Sequence, residues 1–290
     1  MATLKILLFP LMILPVGLSQ EGWAPMGPRV YDAPRVVGEI AVDGILDDPG
    51  WAMASWTEDF VDILGRDAPT PHLRTRAKIL WDETYLYVGA ELDEPDLWAT
   101  LLERDAIIYR DDDFEVFLDP GGDGRDYFEI EINPHGTVLD LFLEKPYREG
   151  GRAVLGWDVS GLEARVSLSG TLNHPGDRDD GWSVEMAIPW KALVPPGVNE
   201  EGGPPETPPA PGPHGNPPIP GDSWRINFSR VDWPLQSRGG RYRKASTPSP
   251  ENQHPESNWV WSPQGAVNMH LPEMWGVVRF VIEPQNSLSN

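Results

Sequence analysis

The stretch from Asp111 to Gly136, DDDFEVFLDPGGDGRDYFEIEINPHG, holds acidic residues spaced closely enough to do chemistry. Its carboxylates alternate with apolar residues, as in two β-strands joined by a Gly-rich turn. Carboxylates two positions apart on a strand lie roughly 7 Å apart, which suits the pair of an inverting glycosidase. Glu129 and Glu131 have this spacing, but almost any acidic strand meets the same test. A solvated strand face is the simpler interpretation of both residues.

The turn DPGGDGRD offers a second kind of chemistry. Asp119, Asp123 and Asp126 supply hard oxygen ligands of the kind that Ca²⁺ prefers. Their spacing does not match an EF-hand loop, so the turn predicts at most a structural calcium site. The chain contains no Cys, no HExxH or HxH spacing, no P-loop and no dinucleotide motif. Thiolate metal sites and nucleotide cofactors are therefore not expected.

Composition narrows the range of partners. The formal net charge is −22 at pH 7, and an acidic surface repels the phosphates of nucleic acids and anionic membranes. Neutral ligands and divalent cations fit such a field. The 13 Trp residues are numerous enough to fill a core and also to offer flat rings on which sugars stack.

The N-terminal segment predicts export. Lys5 precedes the apolar run ILLFPLMILPVGL, and the small residues Gly17 and Ser19 stand at the −3 and −1 positions of a cleavage site before Gln20. This is the pattern of a secretory signal peptide at residues 1–19. The run is broken by proline and is short for a membrane span. We therefore predict an exported mature chain without a membrane span, periplasmic or extracellular.

Strand patterns fill most of the remaining chain. Short segments of period-two alternation are bounded by Gly, Pro, Asp and Asn, and few stretches have a helical period. Predicted strands include Val36–Val42, Tyr85–Leu92, Phe114–Asp119 and Tyr127–Asn133. Many short strands without crossover helices are typical of an all-β fold, an antiparallel β-sandwich or jelly roll with long irregular loops.

One segment interrupts this pattern. Residues 194–222, VPPGVNEEGGPPETPPAPGPHGNPPIPGD, are dominated by Pro and Gly and cannot continue a sheet or a helix. WRINFSR, which follows, has the pattern of the next strand of the same sandwich. The prediction is one β-sandwich domain over residues 20–290 with a Pro/Gly-rich insertion at 194–222.

Seven segments of the remaining chain form an ordered set. They are VDGILDDPGW (42–51), ILWDETYLYVGAEL (79–92), DDDFEVFLDP (111–120), YFEIEINPHGTVLDL (127–141), GWSVEMAIPWKAL (181–193), GDSWRINFSR (221–230) and MHLPEMWGVVRF (269–280). In order and spacing, the set resembles the family 9 carbohydrate-binding modules, which are DOMON-like β-sandwiches. The resemblance extends over roughly residues 36 to 282, apart from the insertion. No single motif is diagnostic, but the ordered set is specific.

The resemblance implies a lectin-like function and assigns roles to particular residues. Family 9 modules bind glucose-, xylose- or cellobiose-type sugars, clamp a terminal sugar between two Trp rings and contain structural calcium. The Glu that holds sugar hydroxyls corresponds to Glu115, and the first clamp Trp corresponds to Tyr109, which can still stack. The second clamp Trp corresponds to Met269 and a sugar-contacting Arg to Glu129, so the clamp is altered.

Other aromatic and basic residues complete the predicted ligand site. Trp233, Trp259 and Trp261 lie in nearby loops and could replace the missing ring, with core packing as the alternative for the last two. Arg104 and Arg230 stand near aromatic residues and suit a polar anchor, with a structural salt bridge as the alternative. The predicted ligand-binding residues are Arg104, Tyr109, Glu115, Arg230, Trp233, Trp259, Trp261 and His270.

The predicted function is non-catalytic binding of a sugar or polysaccharide end, in support of carbohydrate catabolism and beside a separate glycoside hydrolase. One alternative is a glycoside hydrolase that uses Glu115 and Glu129. Another is a b-type haem protein for electron transfer, since NMHLPEM carries Met269 and His270 as axial candidates. No second ligand on an opposing strand is evident, so haem is not expected. A protein-interaction surface is the last alternative.

Overall fold

The computed structural model describes residues 27–65, 68–197, 214–245 and 254–283. The predicted signal peptide, residues 1–19, lies outside the described residues, as does the greater part of the 194–222 insertion. The described chain forms fifteen strands and five short 3-10 turns. The strands are β1 Val30–Pro34, β2 Val61–Asp62, β3 Thr75–Trp81, β4 Tyr85–Asp93, β5 Asp113–Asp119, β6 Tyr127–Ile132, β7 Val138–Leu143, β8 Ala153–Val154, β9 Glu163–Ser169, β10 Gly181–Pro189, β11 Ser223–Asp232, β12 Leu235–Ser237, β13 Tyr242–Lys244, β14 Ser257–Val260 and β15 Gly276–Val281. The 3-10 turns are Pro49–Met53, Ile108–Arg110, Tyr147–Glu149, Trp190–Ala192 and Pro272–Met274.

The strands form two main sheets. The large sheet has nine strands in the described chain, in the order β1–β15–β11–β5–β6–β7–β8, and β14 pairs with both β11 and β2 beside this path. The small sheet has the order β3–β4–β10–β9, and β12 and β13 form a separate hairpin. The pairing of β1 with β15 is parallel, whereas the neighbours of β5 and β10 are antiparallel. No helix among the described residues has the length and apolarity needed to cross a membrane.

The main hydrophobic core lies between the two sheets. Period-two alternation directs Phe114, Val116 and Ile130 of the large sheet toward Ile79 and Val184 of the small sheet, and all five side chains are fully buried. Burial of such side chains contributes about 1.5–3 kcal/mol each. The predicted all-β antiparallel sandwich is confirmed.

The opposite face of β5–β7 is also buried, so the interpretation of Glu129 and Glu131 as a solvated strand face is wrong. The two residues are 5% and 2% exposed. The reason is a second apolar cluster, in which Phe117 and Leu141 of the sheet pack with Trp275 and with loop residues. Segments distant in the chain cover a face that the hairpin sequence alone leaves open to water.

One predicted strand is displaced toward the N-terminus. Val36–Val42 forms no strand in the structure; Val30–Pro34 pairs with β15 instead. Val36 and Val42 pack with Trp51 in a side cluster on the small sheet. Their apolar alternation therefore reflects packing against this cluster rather than strand pairing.

Candidate functional site

A pocket of about 660 Å³ opens on the outer face of the large sheet. The sheet supplies its floor, and loops supply most of its walls. A few polar groups among apolar and aromatic side chains are typical of a small-molecule site. The floor consists of Glu115, Phe117, Glu129, Glu131, Leu139 and Leu141, and the walls include Tyr109, Tyr147, Met269 and His270.

Strand register brings the acidic side chains of the floor together. Glu115 on β5 pairs with Glu131 on β6, and Glu129 pairs with Phe117, so their side chains project from the same face of the sheet. Asp113 precedes Glu115 by two residues and shares that face. Carboxylate oxygens of Asp113, Glu115 and Glu131 all lie within 4.8 Å of one another. We call Asp113, Glu115, Glu129 and Glu131 the acid cluster.

The acid cluster is only partly satisfied by the backbone. Glu131 Oε2 accepts the backbone N–H of Tyr109 at 3.0 Å, and Asp113 Oδ1 accepts that of Val231 at 3.0 Å. Glu129 Oε2 and Asp113 Oδ2 are buried and have no hydrogen-bond partner among the described residues. The floor can therefore accept further hydrogen bonds.

Burial raises the pKa of every member of the acid cluster. The pKa of Glu115 rises to about 7. The pKa values of Asp113, Glu129 and Glu131 are raised well above their usual range, first by burial and then by the neighbouring carboxylates. The cluster therefore retains protons near neutral pH, and its floor can donate hydrogen bonds as well as accept them.

His270 lies in the pocket wall beside Glu129 and contacts two tyrosines, Tyr127 and Tyr147. His270 Nδ1 lies 3.1 Å from Tyr127 Oη, and its ring packs edge-on against Tyr147 with centroids 4.4 Å apart. Burial lowers the pKa of His270 to about 4, so the imidazole is neutral at pH 7. Tyr109 and Tyr147 are 48% and 46% exposed, which leaves aromatic surface open at the pocket.

The pocket brings together three of the predicted ligand residues. Tyr109, Glu115 and His270 line it. The remaining predicted ligand residues do not contribute to its lining, which includes only described residues; they are Arg104, Arg230, Trp233, Trp259 and Trp261.

Both predicted arginines are ion-paired within the fold. Arg104 Nη2 lies 2.7 Å from Asp140 Oδ2. Arg230 is 1% exposed, and its Nη2 lies 2.6 Å from Glu94 Oε2 and 2.8 Å from Asp232 Oδ1. These contacts are the structural salt bridges that the sequence analysis gave as the alternative to a ligand anchor.

The three predicted tryptophans occupy different environments. Trp259 and Trp261 are 3% and 0% exposed and belong to the core between the sheets. Trp233 is half-buried beside the pocket, where its Nε1 donates to the backbone oxygen of Tyr109 at 3.0 Å. Lys244 Nζ lies 3.1 Å from the centroid of the Trp233 ring. Trp233 therefore supports a wall residue instead of facing the ligand space.

The Asp-rich turn between β5 and β6 is closed by its own side chains. Asp119 accepts two backbone N–H groups of the turn at 2.8 Å, one on each carboxylate oxygen. Among the described residues, the groups of three acidic side chains close enough to share an ion lie elsewhere. Each carboxylate oxygen of Asp119, Asp123 and Asp126 retains lone pairs, so structural calcium at this turn stays a prediction.

Glu131 and Tyr147 are two polar residues of the pocket that were not among the predicted ligand residues. Glu131 lies on the same strand face as Glu129, and Phe117 on that face is the local signal that the face is covered. Tyr147 comes from a 3-10 turn beyond β7, and no pattern in its neighbourhood marks it as a site residue. Its position depends on contacts with His270, which is distant in the chain.

Comparison with known proteins places this architecture among binding domains. The carbohydrate family 9 binding domain-like family matches residues 42–203, more than half of the chain. The exoglucanase XynX of Acetivibrio thermocellus is 27% identical over 162 residues, which is 56% of this chain and 12% of that protein. A Bacteroides uniformis protein, provisionally described as carbohydrate-binding, has a TM-score of 0.57 at 17% identity and covers 87% of this chain and 99% of its own.

A second solved structure shares the fold. A family 9 carbohydrate-binding module from Caldicellulosiruptor kristjanssonii, in complex with cellotriose, has a TM-score of 0.50 at 17% identity, with coverage of 90% of this chain and 97% of its own. Fold and pocket thus define a β-sandwich binding domain. The chain belongs to the carbohydrate family 9 binding domain-like family, as the resemblance in its sequence predicted. It spans only 12% of the length of XynX, so the match does not assign the exoglucanase activity of XynX to this chain.

Proposed function

We propose that this protein binds a saccharide, without cleaving it, in the pocket on the outer face of the large sheet. The observation that carries the proposal is the composition of the pocket, with buried carboxyl groups as its floor and exposed tyrosine rings in its walls. Aromatic rings pack on the C–H face of a sugar, while polar groups in the plane of the sugar bind its hydroxyls. Family membership supports the same function.

Three residues have distinct roles in this proposal. Tyr109 stacks on the sugar, Glu115 binds hydroxyls, and His270 borders the ligand. The backbone of Tyr109 is fixed on both sides, because its N–H donates to Glu131 and its carbonyl accepts the Trp233 indole, each at 3.0 Å. A half-exposed ring on a fixed backbone is partly preorganised, which reduces the entropy lost on binding.

The arrangement of the carboxyl groups favours binding over hydrolysis. A glycosidase places its two carboxyl groups on either side of the scissile bond. Glu115 and Glu131 instead rise from the same floor, with oxygens within 4.8 Å of each other, and Glu129 projects from the same face. Such a group can hold hydroxyls from one side of a sugar.

Calorimetric titration of the purified protein with a broad panel of mono- and oligosaccharides tests the proposal. We expect saturable binding that Tyr109→Ala weakens by about five- to tenfold, since an aromatic contact contributes about 1 kcal/mol. Tyr85→Ala is the matched control, because it removes a partly buried tyrosine from the small sheet. Absence of binding to every member of the panel by the folded protein would contradict the proposal.

We also propose that the protein is exported, acts beside a separate glycoside hydrolase and holds structural calcium. The pattern of residues 1–19 supports export. The similarity to the exoglucanase XynX supports a role beside a separate glycoside hydrolase. An N-terminus at Gln20 in exported material would test the cleavage. A thermal shift by Ca²⁺ that disappears in Asp119→Asn would test the turn as a structural calcium site.

A further inference from the structure

The charge of the pocket is unbalanced. Glu115, Glu129, Glu131 and Glu256 line it, whereas no lining residue in the described part of the chain is a lysine or an arginine. The two lining histidines do not compensate for these acids. Burial keeps His270 neutral at pH 7 by lowering its pKa to about 4, and His254 is exposed and lies beside a carboxylate of its own segment.

An oxygen atom on the floor has no donor outside the acid cluster. Glu129 is 5% exposed, lines the pocket, and its Oε2 has no hydrogen-bond partner within the described residues. His270 Nε2 is 3.9 Å away from this oxygen, which is beyond hydrogen-bond distance. Leaving a buried acceptor without a donor is unfavourable, so a ligand that supplies one is favoured at this point.

We propose that the pocket selects a saccharide that carries a protonated primary amine, with the ammonium group placed on Glu115, Glu129 and Glu131. The inference rests on the proposed saccharide-binding function and names its ligand class. An ammonium group has three N–H donors, one for each glutamate. Hydrogen bonds between charged partners are roughly twice as strong as neutral ones, and the open rings of Tyr109 and Tyr147 can pack on the sugar and its cation.

An ammonium group fits the floor better than a bare divalent cation. Asp113, Glu115 and Glu131 supply three carboxylates within ion-sharing distance, whereas Ca²⁺ takes six to eight oxygen ligands. Asp113 and Glu131 each already commit one oxygen to a backbone N–H. Among the described residues that line the pocket, Glu129 is the one with an unpartnered buried oxygen, and it lies outside this group of three.

Binding of an amine should release protons from the pocket floor. An ammonium group stabilises the ionised glutamates and lowers their raised pKa values, so it drives protons off the floor. A neutral sugar has no such effect. The titratable groups that face Glu129 are Glu115 and Asp113 on β5, Glu131 on its own strand, Tyr127 at the start of that strand, and Tyr147 and His270 from the loops.

Paired titrations of the full chain test the inference. Glucose is compared with glucosamine, and cellobiose with the β-1,4-linked glucosamine disaccharide, near pH 7 in two buffers of different ionisation enthalpy. We expect the amine to bind at least about tenfold more tightly than its neutral counterpart, with proton release for the amine alone. E129Q keeps the shape of the side chain and removes its charge, and we expect it to reduce this preference to about threefold or less.

Controls separate the possible outcomes. E163Q changes an exposed glutamate on β9 of the small sheet and should keep the full preference, and circular dichroism checks that each variant is folded. E131Q repeats the test if E129Q is unfolded. Equal affinity for amine and neutral sugars would overturn the inference and leave the proposed function intact. Failure of every sugar to bind would overturn both. Binding that persists in Asp119→Asn, which removes a proposed calcium ligand of the turn, but is abolished by EDTA would show that the acid cluster holds a metal and would overturn the inference.

Discussion

The two faces of the large sheet bury acidic side chains in different ways. On the inner face, Arg230 Nη2 lies 2.6 Å from Glu94 and 2.8 Å from Asp232. Burial raises the pKa of Glu94 to about 7, and the guanidinium of Arg230 opposes that rise. On the outer face, the acid cluster around Glu115 has no lysine or arginine partner among the ion pairs of the described residues.

The acids on the two faces therefore have different roles, one structural and one functional. The inner acids are matched by a buried cation and sealed between the sheets, so they contribute to the fold and have no access to a ligand. The outer acids share protons, and Glu115, Glu129 and Glu131 among them line a pocket, so they can respond to pH and to a bound molecule. Adjacent strand positions carry these opposite roles, because Ser229, next to Arg230, pairs in register with Glu115.

The largest expected effect comes from removal of the inner cation. Arg230→Met leaves Glu94 and Asp232 buried without their cationic partner. We expect the free energy of unfolding to fall by about 3–5 kcal/mol, as for buried ion pairs that lose one member. Urea denaturation at pH 7 measures the loss.

A half-exposed ion pair on the same sheet supplies the control. Arg279 on β15 lies 2.6 Å from Asp32, with 53% of its side chain exposed. Because solvent screens such a pair, we expect Arg279→Met to lower the free energy of unfolding by at most about 1 kcal/mol. An equal loss of unfolding free energy in Arg230→Met and Arg279→Met would show that the buried ion pairs of Arg230 stabilise the fold no more than the exposed pair of Arg279.

The positions of these residues could be predicted in part from strand parity. In WRINFSR the apolar residues Trp224, Ile226 and Phe228 occupy every second position, and Arg230 continues that series. Parity therefore places Arg230 on the inner face, although an Arg near aromatic residues also suits a ligand anchor. In the same way, the hairpin pattern places Glu115 on the opposite face from Phe114, as the structure has it.

The cover over the outer face could not be predicted from the hairpin. Tyr147 reaches it from the 3-10 turn after β7, and His270 and Trp275 reach it from a segment far along the chain. Their contacts depend on the completed sheet. Phe117 is the local sign that the face is covered, but it does not identify the covering residues. The burial of Glu129, and with it the raised pKa, follows from that cover.

The second prediction concerns Glu115 and the pH dependence of stability. Its pKa is about 7 in the folded protein and 4.5 in an unfolded chain, so the folded state holds this proton more tightly. The stabilising contribution is fully present below pH 4.5 and is lost as the pH rises through about 7. We expect Glu115→Gln, which cannot titrate, to flatten the decline of the unfolding free energy across this range. Denaturation series at several pH values measure the slope, and an unchanged slope would show that Glu115 does not carry the proton.

The smallest expected effect concerns His270 and has the opposite sign. Its pKa is about 4 in the folded protein against 6.5 in an unfolded chain. Its stabilising contribution is therefore present above pH 6.5 and is lost as the pH falls through about 4. In His270→Gln we expect a constant loss of about 1 kcal/mol from the changed contact with Tyr127, together with a weaker loss of stability on acidification.

On acidification of the wild type from pH 6.5 to 4.5, the stability gained through Glu115 offsets the stability lost through His270. The two variants should therefore depart from the wild type in opposite directions over that interval, and a departure in the same direction would show that the two groups do not titrate independently on this face.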